Sequence, residues 1–210
     1  FLHGSEVIRT LKICSVNYGK KLKGVLREGK ATTSAGVVLG HAKVSLKFLY
    51  KKTKEAESRA KNLFGRNAFV IKVISRSGEE SEFGAKYIYG QYSTERIQTL
   101  ELLEELTKYY ADGYISSKLP YALREIALKA LSHIDEAELQ KEIALRLIKR
   151  ELRRKVNLPK EDKERLIEKL LRFFNAQIDE HTKERNCQKP ALTVGDIVKN
   201  LAGMLYVARR

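Results

Sequence analysis

A short apolar run followed by two basic side chains is the first stretch with the residues to bind a ligand. Residues 31–43 read ATTSAGVVLGHAK, so His41 and Lys43 come directly after a strand-like segment. Ligands of α/β sheets bind at the carboxyl ends of strands. Lys43, and Lys86 further along the chain, could each bind a phosphate as a point charge. The alternative is a strand-end histidine bonded to nearby backbone and two solvated lysines.

A second stretch has the charge needed to bind a phosphodiester backbone. RLIKRELRRK (146–155) contains six cations, with Glu151 as its only acid. Positions three and four apart are neighbours on a helix, so the cations form a strip. The predicted nucleic-acid-binding residues are Arg146, Lys149, Arg150, Arg153, Arg154 and Lys155. Contacts of this kind are made with phosphates and carry no sequence information. The alternative is a solvated face near a helix C-terminus, where cations are favoured.

The overall charge agrees with a polyanionic partner. The 210 residues include 41 Lys and Arg against 26 Asp and Glu, a net charge of +15, which favours nucleic acid. Cys14 and Cys187 form no CxxC pair, so neither a disulfide framework nor a cysteine-rich zinc site is expected. We therefore expect a cytoplasmic protein, and no membrane partner because no apolar run approaches the length that crosses a bilayer. The sequence does not start with methionine, so we expect a piece of a longer protein.

The first part of the chain mixes strand and helix patterns. Alternation predicts a strand at 7–13, and helical spacing predicts a helix at 18–27. Another strand at 33–40, a helix at 46–64 and a hairpin at 68–89 follow. Together, 1–92 predicts an α/β unit around one sheet.

Strand patterns end after a short linker at 89–93, and helical ones replace them. Thr94 and Glu95 have the types that begin a helix, and Pro120 stands where another begins. Five helices are predicted: one capped at Thr94 and ended by Gly113, and others at 121–131, 136–156, 160–179 and after Thr193, with a loop at 180–192. Residues 93–210 therefore predict an all-α bundle.

Two stretches together resemble a known family. ATTSAGVVLGHAK (31–43) is followed, after a helix, by GRNAFVIKVISRSGEESEFGAKY (65–87). This order is similar to the second palm domain of the large subunit of type III CRISPR effector complexes, especially the Cmr branch. The Ser-Ala-Gly strand, the Gly-Arg-Asn-Ala strand and the Arg-Ser-Gly-Glu hairpin carry the likeness. AGMLYVARR (202–210) resembles the C-terminus of the family.

The resemblance implies a fold and a set of site residues. The fold class is α+β: a partial ferredoxin-like, GGDEF-like palm at 1–92, followed by an all-α bundle at 93–210. In the family the palm binds ATP and Mg²⁺ or Mn²⁺ and makes cyclic oligoadenylates. The implied nucleotide-binding residues here are Ser34, Ala35, Gly36, His41, Lys43 and Lys86.

The metal-binding motif of the family is altered in this sequence. A Gly-Gly-Asp-Asp hairpin is expected shortly before the Ser-Ala-Gly strand, and FLHGSEVIRTL (1–11) stands in that place. Gly4, Ser5 and Glu6 then occupy the catalytic position, with Glu6 as the one metal ligand. A two-metal site bridges its ions with carboxylates, which Ser5 does not supply. We therefore expect a degenerate palm site, and no bound cofactor unless the site is active.

The resemblance also implies partners. The helical half is similar to the small helical subunit of these complexes, which lies beside the crRNA–target duplex. The expected function is a subunit, or part of the large subunit, of a type III effector in antiviral defence. Its expected partners are crRNA, target RNA, and the backbone and small helical subunits. The alternatives are an active oligoadenylate synthase within an intact large subunit, a free-standing GGDEF-type cyclase, and a generic basic RNA-binding adaptor.

Overall fold

The structure, a computed structural model, describes residues 4–22, 32–90, 96–185 and 192–210. Its strands are β1 Ala35–Gly40, β2 Ala68–Ile74, β3 Glu80–Lys86, β4 Ile88–Tyr89 and β5 Ile97–Gln98. Its helices are α1 Gly4–Leu22, α2 Leu46–Asn62, α3 Thr99–Ala111, α4 Leu119–Glu125, α5 Ala137–Lys155, α6 Lys160–Arg185 and α7 Val194–Ala208. A π-helical turn, Ile126–Ala130, continues α4. Across these four segments, every helix is too short or too polar to cross a membrane.

The main sheet has three strands in the order β1–β2–β3. β1 runs parallel to β2, with Ala35 opposite Phe69, and α2 forms the crossover between them. β3 returns antiparallel to β2 after a tight turn at Gly78, whose φ of 85° suits glycine. The result is the mixed α/β arrangement expected of the first part of the chain, joined to a larger helical part.

β2 is buried on both faces. Ala68 and Val70 point to one side and contact Ala56, Ala60 and Phe64. The alternate residues of β2 point to the other side and enter the main core: Phe69, Ile71 and Val73. This double burial explains why β2 reads as a nearly continuous apolar run.

The main core is continuous from the sheet into the helices. It includes Val7 and Leu11 of α1, Phe83 of β3, Leu103 of α3 and Leu205 of α7. The sheet and the helical part therefore share one apolar interior. The predicted division into a palm domain at 1–92 and a bundle at 93–210 stays a prediction.

α7 lies directly against β3. A Cβ atom at Gly203 would stand 2.8 Å from the carbonyl carbon of Glu82 and closer still to its oxygen. The helix begins with a capping box, in which the Thr193 hydroxyl accepts from the Asp196 backbone N–H at 3.1 Å. Sequence-based expectations for β1, α2, the hairpin, α4 and α5 agree with the structure to within a few residues.

The strand predicted at 7–13 is wrong, because these residues lie within α1. Val7 and Leu11 are four residues apart and only 4% and 3% exposed. Ile13, which strand alternation would place on the same face, is 50% exposed. The apolar side chains follow the helical period, and burial against the main core selects it.

Three further expectations differ from the structure. Ile97 and Gln98 pair with β4 instead of opening a helix, so α3 starts at Thr99. α6 continues to Arg185, so residues 180–185 of the predicted loop are helical. The proposed cap at Thr94 and Glu95, part of the linker, and the second half of the helix predicted at 18–27 lie outside the described residues.

Two glycines of α7 provide a matched test of the packing between α7 and β3. Gly203→Ala should destabilise the protein by about 1–3 kcal/mol, because the added methyl group forces α7 away from β3. Gly195→Ala is the control, since its Cβ would meet no atom nearer than 3.7 Å. Urea denaturation followed by circular dichroism measures both. Equal stability of the two variants would contradict the close contact.

Candidate functional site

The Ser-Ala-Gly segment lies under α2. A Cβ atom at Gly36 would be 2.6 Å from the backbone oxygen of Thr53 and 2.9 Å from the carbonyl carbon of Ala56. Gly40 is similarly close to Leu49, whose Cδ2 would be 2.6 Å away. Glycine at these positions allows the helix to approach the strand closely. Packing of α2 on β1 therefore accounts for Gly36, and its role in nucleotide binding stays a prediction.

Ser34 and Ala35 lie at the start of β1, and both are half-buried. Ala35 contacts the main core, on the face of β1 opposite to Gly36. Ala35, Phe69 and Ala85 are in one row across the three strands. This row places Lys86 at the same end of the sheet, about 10 Å from Ala35 at the usual spacing of strands.

His41 and Lys43 lie at the other end of β1. Both are exposed in the turn that follows the strand. The backbone N–H of Lys43 donates to His41 Nδ1 at 3.2 Å, and Val44 N–H donates to the His41 carbonyl at 2.9 Å. The histidine therefore supports its own turn, as the simpler of the two interpretations expects.

The six predicted nucleotide-binding residues are not brought together. Lys86 forms an ion pair with Glu180 of α6 at the end of the sheet where β1 begins. His41 and Lys43 lie roughly 20 Å away, since β1 rises by about 3.3 Å per residue between them. One mononucleotide is too short to contact both groups at once.

Gly4, Ser5 and Glu6 are in the first turn of α1, not at the tip of a hairpin. Glu6 is exposed, and its carboxylate lies 4.0 Å from Arg9. The expected alignment with a metal-binding hairpin therefore has no support from the backbone. The catalytic and metal-binding assignments of these residues stay predictions.

Carboxylates do cluster beside the sheet, but they form ion pairs with two lysines and an arginine. Lys72 of β2 is only 7% exposed, and its Nζ lies 3.4 Å from Glu80, 3.5 Å from Glu82 and 3.9 Å from Glu55. Lys52 adds a contact of 2.8 Å to Glu80, and Arg59 one of 2.6 Å to Glu82. Within the described segments, no group of three or more histidines, cysteines or acids is arranged to hold a metal ion. The Lys72-centred cluster does not fit Mg²⁺ or Mn²⁺, because its cations already neutralise the carboxylates.

A cleft of about 460 Å³ lies between β3, the end of α2, α4 and α7. Its lining mixes Phe64 and Tyr121 with Glu82, Arg124 and Lys199. Arg209 lies over the rings of Tyr121 and Tyr206, at 5.4 and 4.9 Å from their centroids. The charges in the cleft are of both signs, so it selects neither a cation nor an anion.

The basic strip of α5 is real, but much of it is paired. Arg153 makes a bidentate contact with Glu164 of α6, both at 3.0 Å, and Arg146 lies 2.5 Å from Glu142. Glu151 is only 6% exposed, and three cations surround it: Arg150, Arg154 and Lys155. The sequence identified Glu151 as the one acid in the run, and the structure adds Glu142 and Glu164. The strip keeps a positive excess of six cations over three carboxylates.

Sequence reasoning missed a buried polar network. The Asn200 side chain accepts from Gly84 N–H at 2.8 Å and donates to the Gly84 carbonyl at 2.7 Å. Gln177 accepts from Asn200 and donates to the Tyr89 hydroxyl, both at 3.3 Å. A lone Asn and a lone Gln within amphipathic helices give no sequence signal for such pairing.

The Lys72-centred cluster predicts how stability depends on pH. The hydrogen bond from Lys52, helped by Lys72, holds the pKa of Glu80 below its usual range. A carboxyl group whose pKa is lowered by folding stabilises the fold at any pH above its pKa in the unfolded chain, which is about 4.3 for Glu. This contribution is lost as the pH falls through the lower, folded pKa. The free energy of unfolding should therefore be level from pH 7 to about 5 and fall below about pH 4.5, measured by urea denaturation. The free energy of unfolding of the Glu80→Gln variant should fall less steeply with decreasing pH. An equal slope in both proteins would contradict the role of Glu80.

Comparison with known proteins supports a palm in the first third of the chain. Residues 1–70 match the family model for the Cas10/Cmr2 second palm domain. These residues include α1, β1, α2 and the start of β2. No curated protein matches the chain. The match supports a Cas10-like palm and a relation to the large subunit of type III CRISPR complexes, while the helical part extends beyond it.

Proposed function

We propose that the chain is part of the large subunit of a type III CRISPR effector complex and has a scaffolding role in antiviral defence. The observation that carries this proposal is the match of residues 1–70 to the second palm domain. The strand–helix–hairpin arrangement of β1, α2, β2 and β3 supports it, as does the helical part that follows. In this proposal the partners are the backbone and small helical subunits, crRNA and target RNA, and the complex acts in the cytoplasm.

The proposed RNA contact is the outer face of α5. Arg146, Arg150 and Arg154 expose 77%, 60% and 67% of their side chains. The Arg146–Glu142 pair is exposed on both sides, so it contributes at most about 1 kcal/mol and a phosphate can replace its carboxylate at little cost. Arg150 and Arg154 pair with the buried Glu151, and their exposed guanidinium groups would contact a phosphate while keeping that partner. α5 would therefore bind an RNA backbone through charge, without regard to sequence.

We propose that the palm in this chain supports the assembly and does not catalyse. The acids beside the sheet, Glu55, Glu80 and Glu82, are each held by a cation. The alternative of oligoadenylate synthesis from ATP with Mg²⁺ or Mn²⁺ requires carboxylates beyond those in the described residues. A nucleotide contact by Ser34, Ala35, Gly36, His41, Lys43 or Lys86 remains part of that alternative.

Membership of the complex can be tested directly. The affinity-tagged chain, co-expressed with crRNA and the other type III subunits encoded in the same genome, should retain the backbone subunits. Mass spectrometry of the eluate measures this. A chain that elutes alone while the remaining subunits assemble with crRNA would contradict the proposal.

RNA binding by α5 can be tested separately with the full chain. Arg150→Glu with Arg154→Glu should weaken binding of an RNA duplex at least about tenfold in fluorescence anisotropy, because two phosphate contacts become repulsive. Lys108→Glu with Lys129→Glu is the control, with the same change in net charge at positions on other helices.

A second variant guards against misfolding around the buried Glu151. Arg146→Glu with Lys149→Glu changes exposed positions on α5 that make no contact with Glu151 among the ion pairs of the described residues. It should also weaken binding and reduce the slope of log affinity against log salt by about 1.5–2. Affinity unchanged in both α5 variants would rule out this surface.

A further inference from the structure

The first half of α2 exposes large apolar side chains to solvent. Leu46, Phe48 and Tyr50 are 68%, 40% and 64% exposed. They are three of the eight exposed large apolar residues in the described part of the chain, and they lie within five positions. Single exposed apolar residues are ordinary. Here Leu46 and Tyr50 lie one helical turn apart on one flank of α2 and Phe48 lies on the other flank, so apolar side chains border both sides of the outer face.

Lysines without carboxylate partners lie among these side chains. Residues 43–54 contain five lysines and no acid. Lys52 points towards Glu55 and Glu80, and Lys54 lies 3.2 Å from Glu57. Lys47 and Lys51 are exposed, and no carboxylate of the described residues lies in ion-pair contact with either. On α5, in contrast, five of the six cations have such a partner among the described residues, namely Arg146, Arg150, Arg153, Arg154 and Lys155, and Lys149 has none.

The position of Lys47 is unfavourable for the helix itself. The N-terminal end of a helix dipole is positive, so acids are favoured there and cations are not. α2 has no acid in its first turn, and Ser45 makes no side-chain cap. Lys47, which is in this first turn, therefore adds positive potential where the backbone already supplies it, and Lys51 follows one turn later. A polyanion on this surface would relieve that repulsion.

The outer face of α2 has a central row of lysines with an aromatic ring on each side. At about 100° per residue, Lys47, Lys51 and Lys54 lie along the centre of the outer face, with Tyr50 on one flank and Phe48 on the other. The rise from Lys47 to Lys54 is about 10 Å. The inner face, with Ala56 and Ala60 fully buried, fixes α2 to the sheet. The outer face is thus held rigidly.

We propose that this face of α2, formed by Leu46, Lys47, Phe48, Tyr50 and Lys51, binds single-stranded RNA. Lys47 and Lys51 contact phosphates, and a base stacks on the exposed ring of Tyr50. Basic surfaces with exposed aromatic rings bind single strands in this way, with little regard to sequence. A duplex keeps its bases paired and an acidic peptide has no base to stack, so the ring favours the single strand. The inference rests on α2 alone and stands independently of the proposed function and of α5.

A tryptophan reporter tests the stacking. The chain contains no tryptophan, so Tyr50→Trp places a single indole at the proposed site. Titration with a mixed-sequence single-stranded RNA of about 12 nucleotides should quench this fluorescence, and the matching duplex should quench it far less. Leu128→Trp is the control, because Leu128 is 52% exposed on the π-helical turn after α4. Equal quenching of both reporters, or no quenching in Tyr50→Trp while anisotropy shows RNA bound, would overturn the proposal.

Affinity measurements give a second test that needs no reporter. Tyr50→Ala should weaken single-strand binding at least about fivefold, since one base–ring stack is lost. Lys47→Gln with Lys51→Gln should lower the salt slope by about 1.4, while Lys108→Gln with Lys129→Gln should not.

Binding should also survive Arg150→Glu with Arg154→Glu, which separates this surface from α5. If polyglutamate competes as well as RNA of equal charge, or if Tyr50→Ala binds normally, the surface is not a single-strand site.

Discussion

The fold depends on how the backbone hydrogen-bonding groups at the outer edge of β3 are paired. Gly84 directs both of its backbone hydrogen-bonding groups away from β2, and the side-chain amide of Asn200 pairs with both of them. One amide thus supplies the donor and the acceptor that a further strand would have offered. Asn200 is 8% exposed, so an unpaired edge here would be costly. Gly203, one turn further along α7, lets the helix come close enough for this pairing. The helices therefore complete the sheet and are not simply appended to it.

Because helices cover the sheet in this way, few of its surfaces are accessible to a ligand. α2 covers one face of the sheet, the main core covers the other, and α7 covers the β3 edge. A nucleotide lying flat on β1 over Gly36 would have to displace α2, which is in backbone contact there. Among the described residues this leaves the turns at the strand ends, the outer faces of helices, and the cleft of mixed charge between β3, α2, α4 and α7. The two proposed RNA surfaces, on α2 and α5, are outer helix faces.

The sequence predicted a helix or strand well where its apolar residues fitted only one of the two periods, that of a helix or that of a strand. β2 is short, apolar and rich in β-branched residues, and α5 is a long helix with a clear apolar stripe, so both were found. Residues 7–13 fit both periods, and what decides between them is the burial of Val7 and Leu11 against distant residues. Gly36 was implied to bind a nucleotide, and the structure shows the backbone of α2 in close contact there, a packing role that the sequence alone does not distinguish from ligand binding. Glu164 could not be foreseen as a partner of Arg153, because it lies on another helix.

The two basic faces have different physical consequences for binding. At α5 five of the six cations already have carboxylate partners, so binding there would largely exchange one set of ion pairs for another and gain mainly from released counterions. At α2 no carboxylate has to leave Lys47 or Lys51, and the exposed rings add a contribution that salt does not screen. High salt should therefore reduce binding at α5 more completely than at α2. Since Lys47 also opposes the helix dipole in the first turn of α2, it weakens the fold slightly. A charge arrangement that is unfavourable for folding is more simply explained by a ligand than by stability.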